Sequence, residues 1–399
     1  MRVKRPRRAQ VAKLAARLAR RLGWPGRGAR APAPEPAPAA AEAEPGARVV
    51  AALLALGFDH EAYLAAYPTL GELSAPACAA HYHSCGRTER LRATFSLPFG
   101  EAVERLDRLD LEAAERDLLR LDLASAVLWR TDIWGRDAAR TADLLRPSPA
   151  YRPLAVIADS HGMFYLTEDV LHGGRLVPVP LLCTGASARG LGNPASRVQA
   201  GQRIRDHLKA VEARLAGGLV LLKFGQVDLE FVYDYRRVRD GRRGFDLADA
   251  EAFARESALR YAAFVRDLTD ETPLKLVVTA ALPPALNDAA LREGYMNAHI
   301  VEMHAEIGPD ALREALQELE MPDWKVRTEL ARTYNQALAA ACAEFGLTFY
   351  DDFTPLVGPD GVIDPALILW HGGTDHHLCA TSPAARRAAG GFAADLARL

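Results

Sequence analysis

Three consecutive residues, Asp159, Ser160 and His161, place an acid, a hydroxyl and an imidazole directly after the apolar run 154–158. A buried parallel strand would deliver such side chains to a turn at its C-terminal end. There the serine can act as a nucleophile if a base accepts its proton, and the same Asp and Ser could instead cap the next helix. From these residues alone, both interpretations stay open.

A second reactive group lies near the C-terminus, where Asp375, His376 and His377 follow an apolar run and precede a predicted helix. An imidazole within hydrogen-bond reach of a serine hydroxyl can take its proton, and a nearby carboxylate can orient that imidazole. Two histidines beside an aspartate are therefore candidates for the base of a nucleophilic serine.

Two segments between these groups also carry polar or flexible residues after apolar runs. Residues 183–194 form a Gly-rich loop whose backbone N–H groups could face an anion, although a plain loop explains the glycines equally well. Another apolar run ends in Gln226 and Asp228.

These segments must be positioned by an alternation of strands and helices that begins after residue 151. The predicted strands are 154–158, 177–182, 219–224, 274–280 and 347–350. The predicted helices are 198–216, 247–268, 322–345 and 382–397. This order predicts an α/β fold, a flavodoxin-like doubly wound parallel sheet of about five strands with its site at the carboxyl ends of the strands.

The N-terminal 46 residues are predicted to be a disordered basic leader followed by an Ala/Pro-rich linker. Residues 1–34 hold eleven Arg or Lys and no acidic residue, so the rest of this 399-residue chain is acidic and no nucleic-acid partner is expected. The leader is a solvated tail, an organelle-targeting peptide or a short amphipathic helix that contacts an anionic membrane weakly. Without a long apolar run, the chain is expected to be cytoplasmic, with peripheral membrane contact as an option.

Residues 47–148 are predicted to form a small all-helical region with an aromatic core. Phe58, Tyr63, Tyr67 and Tyr82 recur among helix stops in this region. Residues 57–95 resemble a short helical module found beside glycan-processing domains in bacterial proteins. Thr69 stands where that module usually has Asp, which is one departure from its pattern.

No metal and no cofactor are predicted. The five cysteines are sparse and odd in number, which favours a reducing compartment over a disulfide framework. Four potential metal ligands lie too close together on one short segment to form a structural zinc site. In a second segment, the two histidines of a His-X-X-Glu-X-His sequence would point in different directions on a helix. These residues are Cys78, His81, His83 and Cys85, and His299, Glu302 and His304.

The order of the reactive blocks over residues 151–399 resembles the SGNH (GDSL-like) hydrolases. The resemblance implies Ser160 as the nucleophile and His377 or His376 as the base, with Asp375 beside it. It further implies an oxyanion hole of the Ser160 amide, Gly185 and Gln226, and substrate contacts by Asp159, His161 and Asp228.

Three departures from that family's pattern stand in the sequence. Ala158 replaces a glycine, which is tolerable at negative φ. Val227 stands where the family has Asn, so Gln226 would supply the donor or the donor is absent. Asp375 precedes His377 by two residues and not by three, so a backbone carbonyl could orient the imidazole instead.

The resemblance implies a serine-dependent O-acyl ester hydrolase or acyltransferase that acts on a carbohydrate, through an acyl-enzyme on Ser160. Its partner would be an acylated carbohydrate or another small ester. The alternative is a catalytically weak relative that binds glycan or a polysaccharide-biosynthesis partner. A flavodoxin-like nucleotide binder is less favoured, because the loop after the first strand lacks a phosphate-cradling glycine run. A helical insertion at about 286–324 is expected to form a lid.

Overall fold

The computed structural model describes residues 45–87, 89, 91–130, 148, 150–196, 199–215, 218–293, 309–369, 371–378 and 382–399. The chain divides into two compact units, Met1–Val127 and Leu128–Leu399. The predicted basic leader and most of the linker lie outside the described residues, and the predicted domain limits at 46 and 148 remain predictions.

The described part of the N-terminal unit is helical, as predicted. Its helices are α1 Pro45–Ala55, α2 His60–Ala66, α3 Ala75–His81, α4 Phe99–Asp107 and α5 Ala113–Arg130. The rings of Phe58, Tyr63 and Tyr82 pack together with centroids 5.3–5.9 Å apart. Buried Asp122 accepts hydrogen bonds from the Tyr82 hydroxyl and from Arg87. Aromatic packing and this buried ion pair therefore hold the unit together.

The Cys/His segment of this unit has separate partners for its side chains. The Cys78 thiol donates to the carbonyl of Leu73, and the His81 ring contacts the Tyr63 hydroxyl. Among the described residues, these side chains do not converge into a group that could hold a metal ion.

The second unit is built on a five-stranded sheet in which every pairing is parallel. Its strands are β1 Arg152–Ala158, β2 Leu176–Leu182, β3 Leu219–Lys223, β4 Lys275–Thr279 and β5 Thr348–Tyr350. Their order in the sheet is β2-β1-β3-β4-β5, the flavodoxin-like order, which confirms the predicted fold class. The carboxyl ends of all five strands therefore share one edge.

Helices flank this sheet. They are α6 Glu168–Gly174, α7 Ala200–Val211, α8 Tyr233–Arg239, α9 Leu247–Thr269, α10 Asp288–Arg292, α11 Pro309–Gln317, α12 Trp324–Phe345 and α13 Pro383–Leu396. The long ones start where a side chain caps the first turn. Asp246, Asp323 and Ser382 each accept a backbone N–H of the helix that follows.

Both faces of β1 are buried. Leu154, Val156 and Ala158 of β1 belong to a core cluster with residues of α6 and α13. Ala155 and Ile157 point to the opposite face, because side chains alternate along a strand, and they are also buried. A continuous apolar run thus reads correctly as a strand covered on two sides.

The predicted helical insertion is described in part. Helices α10 and α11 lie within it, whereas His299, Glu302 and His304 fall outside the described residues. Within the part of the chain that the structure describes, no helix is both long enough and apolar enough to cross a bilayer.

A buried ion pair ties together three of the strand ends. Lys223 Nζ, at the end of β3, lies 2.7 Å from Asp352 Oδ2, just after β5, and donates to the carbonyl of Ala280, just after β4. The Tyr165 hydroxyl donates to the same carboxylate oxygen at 2.7 Å. All of these side chains are buried. The pair therefore stabilises the carboxyl ends of β3, β4 and β5, from which the polar loops extend.

Removing one member of this pair is expected to destabilise the fold strongly. Asp352→Ala leaves the Lys223 ammonium buried without its carboxylate, which should lower the free energy of unfolding by about 3–5 kcal/mol. Urea unfolding of the variant measures the loss. The double variant Lys223→Met/Asp352→Leu should recover most of it, and exposed Asp360→Ala should leave stability unchanged. Equal stability of Asp352→Ala and the wild type would contradict a structural role for the pair.

Candidate active site

Ser160 stands at the sharp turn that follows β1. Asp159 caps a short 3-10 helix, Ser160–Tyr165, and its carboxylate accepts the N–H of His161. A Cβ on Gly162 would lie only 2.3 Å from the Cβ of Ala158, so the turn requires glycine at this position. Ala158 is not among the described residues with positive φ, as its replacement of a glycine required. These local requirements place the Ser160 hydroxyl in the turn directly after β1.

The structure brings Ser160 together with residues from the opposite end of the chain. His377 Nε2 lies 2.8 Å from Ser160 Oγ, and His377 Nδ1 lies 2.8 Å from Asp375 Oδ1. An ionised carboxylate can only accept, so Nδ1 carries the proton and Nε2 accepts the serine O–H. Serine, histidine and aspartate are therefore connected in the order that general-base activation of a hydroxyl requires.

The two-residue spacing of Asp375 and His377 is accommodated by a local turn. Asp375 Oδ1 accepts both the backbone N–H of His377, at 2.8 Å, and its ring Nδ1–H. One carboxylate oxygen therefore fixes the main chain and the imidazole together. The carboxylate, and not a backbone carbonyl, orients the ring.

The His371 ring makes hydrogen bonds across the loop that carries Asp375 and His377. Its Nδ1 accepts the N–H groups of Gly373, at 3.1 Å, and Asp375, at 3.3 Å. Its Nε2 lies 3.0 Å from the carbonyl of His377 and donates to it, since Nδ1 is an acceptor. The His371 ring thus bridges the two ends of the loop.

The segment after β4 holds this loop against the rest of the unit. Asn287 donates its backbone N–H to the carbonyl of Gly373 and its side-chain amide to the carbonyl of Gly372, at 2.7 and 2.8 Å. Gly373 has φ +86° and passes close to Asn287, where a Cβ would lie 2.9 Å from the Asn287 Cβ. The start of the predicted insertion therefore anchors the proposed base.

Asp159 and His161 repeat the arrangement of Asp375 and His377. Asp159 Oδ1 accepts the backbone N–H of His161 at 2.9 Å and its ring Nδ1–H at 3.0 Å. Both side chains are buried, and the ring centroids of His161 and His377 are 4.9 Å apart. Asp159 Oδ1 therefore supports the second imidazole, and the substrate contacts predicted for Asp159 and His161 stay predictions.

His376, the alternative base, does not take the place of His377 beside Ser160. Its Nδ1 lies 3.9 Å from Asp375 Oδ1, which exceeds a hydrogen bond. Its ring is buried against Phe231, His161 and His377, with centroids 5.4, 5.1 and 3.8 Å away. His376 therefore packs beside His377, and His377 makes the contact with the serine.

The charges of the site differ between its two Asp-His pairs. Burial lowers the pKa of His377, and the nearby His161 lowers it further against the opposing pull of Asp375. Burial opposes protonation of His161 too, but the charge and hydrogen bond of Asp159 outweigh it and raise the pKa of His161. Burial alone would raise the pKa of Asp375, but hydrogen bonds from His377 hold that pKa well below its usual range. His377 is thus kept neutral, the state of a base.

The pH profile of the reaction should follow from this charge pattern. A base acts only when deprotonated, so a lowered pKa of His377 should keep kcat/KM high below pH 6.5, the ordinary histidine value. His161→Asn removes one cause of the lowering and should move the acid limb toward higher pH. Rates measured from pH 4 to 8, in a series of buffers of equal ionic strength, test this. A shift toward lower pH in the variant would contradict the electrostatic role of His161.

The predicted oxyanion hole would use the backbone N–H groups of Ser160 and Gly185, for which no hydrogen bond is found among the described residues. The Ser160 N–H starts the 3-10 helix, where the first amides have no partner inside the helix. Gly185, with φ +73°, lies in a turn whose hydrogen bond runs from Ala186 N–H to the carbonyl of Cys183. That turn leaves the Gly185 N–H unused.

Gln226 has a partner other than the reacting serine. Its Nε2 donates to Glu230 Oε1 at 2.7 Å, whereas its Oε1 is buried without a hydrogen bond among the described residues. Burial raises the pKa of Glu230. One of the two Nε2 hydrogens is therefore engaged by Glu230, and the predicted donor role would rest on the second.

Asp228 lies beneath the Gly-rich loop, away from solvent. Its two carboxylate oxygens accept the backbone N–H groups of Ala188, at 2.5 Å, and Arg189, at 3.2 Å. Burial raises its pKa to about 7 against these hydrogen bonds. The structure therefore gives Asp228 the task of shaping the loop that carries Gly185, in place of the predicted contact with substrate.

Three features of the site were absent from the sequence analysis. They are the clamp made by His371, the partnership of Glu230 with Gln226, and the ion pair of Lys223 with Asp352. Glu230 follows Gln226 by four residues, a spacing that signals contact on a helix. Lys223 and Asp352 are 129 residues apart, and no local sequence pattern predicts their contact.

No protein-family model and no curated protein matches the sequence. Solved structures that are similar to the chain include a protein of Bacteroides fragilis NCTC 9343 that is provisionally named an acylhydrolase. It has 12% identity and a TM-score of 0.36, over 65% of this chain and 93% of its own. A GDSL-like lipase of Bacteroides thetaiotaomicron VPI-5482 has 11% identity and a TM-score of 0.37, over 66% and 98% of the two chains.

Proposed function

We propose that this chain is a serine-dependent ester hydrolase that acts through an acyl-enzyme on Ser160. The observation that carries the proposal is the connected set of 2.8 Å contacts from Ser160 to His377 and from His377 to Asp375. A serine hydroxyl is a weak nucleophile until a base within hydrogen-bond reach takes its proton. These contacts support His377 as that base and Asp375 as the carboxylate that orients it.

The reaction proceeds in two halves. Ser160 Oγ attacks the acyl carbon while its proton passes to His377 Nε2, and the negative charge collects on the carbonyl oxygen near the Ser160 and Gly185 amides. The ester C–O bond then breaks, and the alcohol leaves with the proton from His377. A water molecule next gives His377 a proton and attacks the acyl-enzyme, which releases the acid and restores Ser160.

The substrate that we propose is an O-acylated carbohydrate or another small ester. One feature supports a polyhydroxyl substrate: residues 57–95 resemble a glycan-associated module. A sugar hydroxyl in place of water would make the same site an acyltransferase.

Weak binding of the basic leader to anionic membrane remains part of this proposal.

Labelling with a fluorophosphonate tests the proposed nucleophile directly. The wild-type chain should gain one phosphonyl group, on Ser160, by intact mass and peptide mapping. Ser160→Ala should gain none, and Ser84→Ala should label like the wild type. A folded wild-type protein that does not label would overturn the proposal.

A second candidate function is a catalytically weak relative that binds glycan or a biosynthetic partner. It is favoured by Val227 in place of an asparagine and by the engagement of Gln226 with Glu230. Hydrolysis of an aryl acetate that Ser160→Ala and His377→Ala both abolish would eliminate this candidate.

A further inference from the structure

Three imidazoles meet at the proposed active site, although only one of them is needed as a base. One ring nitrogen from each of His161, His376 and His377 lie within 4.8 Å of one another. Within the described ranges, this is the one group of three or more His, Cys, Asp or Glu side chains close enough to hold a metal ion. Three imidazoles are a donor set that zinc and neighbouring transition metals accept.

The surroundings of two of these rings match those of metal ligands. His161 and His377 each give their Nδ1–H to a carboxylate, Asp159 at 3.0 Å and Asp375 at 2.8 Å. Metal-ligating histidines commonly donate their other ring N–H in this way, which fixes the ring and makes it a better ligand. In each ring, Nε2 is the nitrogen left to bind a metal.

One of these Nε2 atoms has no hydrogen bond to any described residue. His161 Nε2 is buried, and the whole residue is only 4% exposed. A buried polar atom without a partner costs free energy, so a ligand that uses it gains affinity. The proposed base on His377 does not explain why this second nitrogen is kept unpaired beside it.

We propose that His161, His376 and His377 form a binding site for a divalent transition-metal ion of the Zn²⁺ class, and that this ion switches off Ser160. The ion takes the Nε2 lone pair of His377, so the serine loses the group that accepts its proton. Water or the Ser160 hydroxyl completes a four-coordinate shell. Binding itself does not depend on the proposed function, whereas the inhibition rests on it.

Charge and size set the cost of this binding. The carboxylates of Asp159 and Asp375 balance the two positive charges of the ion, which is favourable in a buried site. Ligand nitrogens around zinc are about 3.3–3.4 Å apart, so a pair of nitrogens separated by 4.8 Å must close by about 1.4–1.5 Å. Because the ring nitrogens must be unprotonated, affinity should fall as the pH is lowered.

Cobalt(II) titration of the full chain tests the binding without reference to catalysis. The wild type should bind one Co²⁺ with the intense visible absorption of a four-coordinate ion. His161→Asn and His376→Asn should each weaken binding by at least about tenfold, through loss of one ligand. Ser160→Ala and His172→Asn, an exposed histidine of α6, should keep it. Unchanged affinity in both ligand variants, or no saturable binding at millimolar Co²⁺, would overturn the site.

Labelling of the unmodified wild type provides a second test that needs no variant to fold. One equivalent of Zn²⁺ should block fluorophosphonate labelling, and a chelator should restore it. Equal labelling with and without Zn²⁺ would refute the switch. No labelling under either condition, with the cobalt spectrum intact, would refute the serine-hydrolase function and leave the metal site standing.

Discussion

Ser160→Ala should lower kcat for an activated aryl ester by about 10⁴-fold or more. In the proposed mechanism, the hydroxyl that lies 2.8 Å from His377 Nε2 is the atom that bonds to the acyl group. Removing the nucleophile of such a unit leaves only the contribution of substrate binding and the oxyanion donors. His377→Ala should cost a similar factor, and the double variant little more, because the two residues act in one step.

Steady-state hydrolysis with purified variants measures this effect. Ser84→Ala is the matched control, since the Ser84 hydroxyl lies in the N-terminal unit and donates to the carbonyl of Ala80. If Ser160→Ala retained a tenth of the wild-type kcat, the hydrolysis would have to occur elsewhere, and the proposed nucleophile would be wrong.

Asp375→Asn should lower kcat by about 10²–10⁴-fold while changing KM little. The carboxylate oxygen accepts from both the main chain and the ring of His377, at 2.8 Å each. An asparagine amide keeps one acceptor but loses the charge, so it stabilises the developing imidazolium less. If its NH₂ group faces the ring, it also favours the tautomer that cannot take the serine proton.

Two comparisons separate this effect from loss of structure. Asp360→Asn, at an exposed loop position, should keep full activity. The pH profile of Asp375→Asn should also change, because the hydrogen bond and charge of Asp375 raise the pKa of His377 in the wild type, and their loss should move the acid limb to lower pH. A variant with normal kcat would show that the carboxylate does not orient the base.

The sheet was predictable because its strands are continuous apolar runs separated by helix-length segments. Even β5, only three residues long, falls within the predicted run 347–350. Right-handed connections limit such a sheet to a few strand orders, of which β2-β1-β3-β4-β5 is one. The edge that would gather the site could thus be predicted from pattern alone.

The site was harder to predict, because side-chain partners depend on geometry and not on type. The short spacing between Asp375 and His377 argued against a contact between their side chains. In the structure, a turn allows Asp375 Oδ1 to accept both the backbone N–H and the ring N–H of His377. Asp228 is the converse case, since an acid after β3 suits a substrate contact but here accepts two loop amides. The polar side chains can be read from the sequence. Only the fold determines which of their atoms remain free of internal hydrogen bonds and can contact a substrate.

The turn from Asp375 to His377 also bears on how the site assembles during folding. Base and carboxylate are set by three consecutive residues, so their mutual orientation requires almost no loop-closure entropy. The remaining contact, from Ser160 to His377, spans 217 residues and depends on every element between them. Activity should therefore disappear at denaturant concentrations where the sheet still stands, as soon as the segment between β5 and α13 detaches.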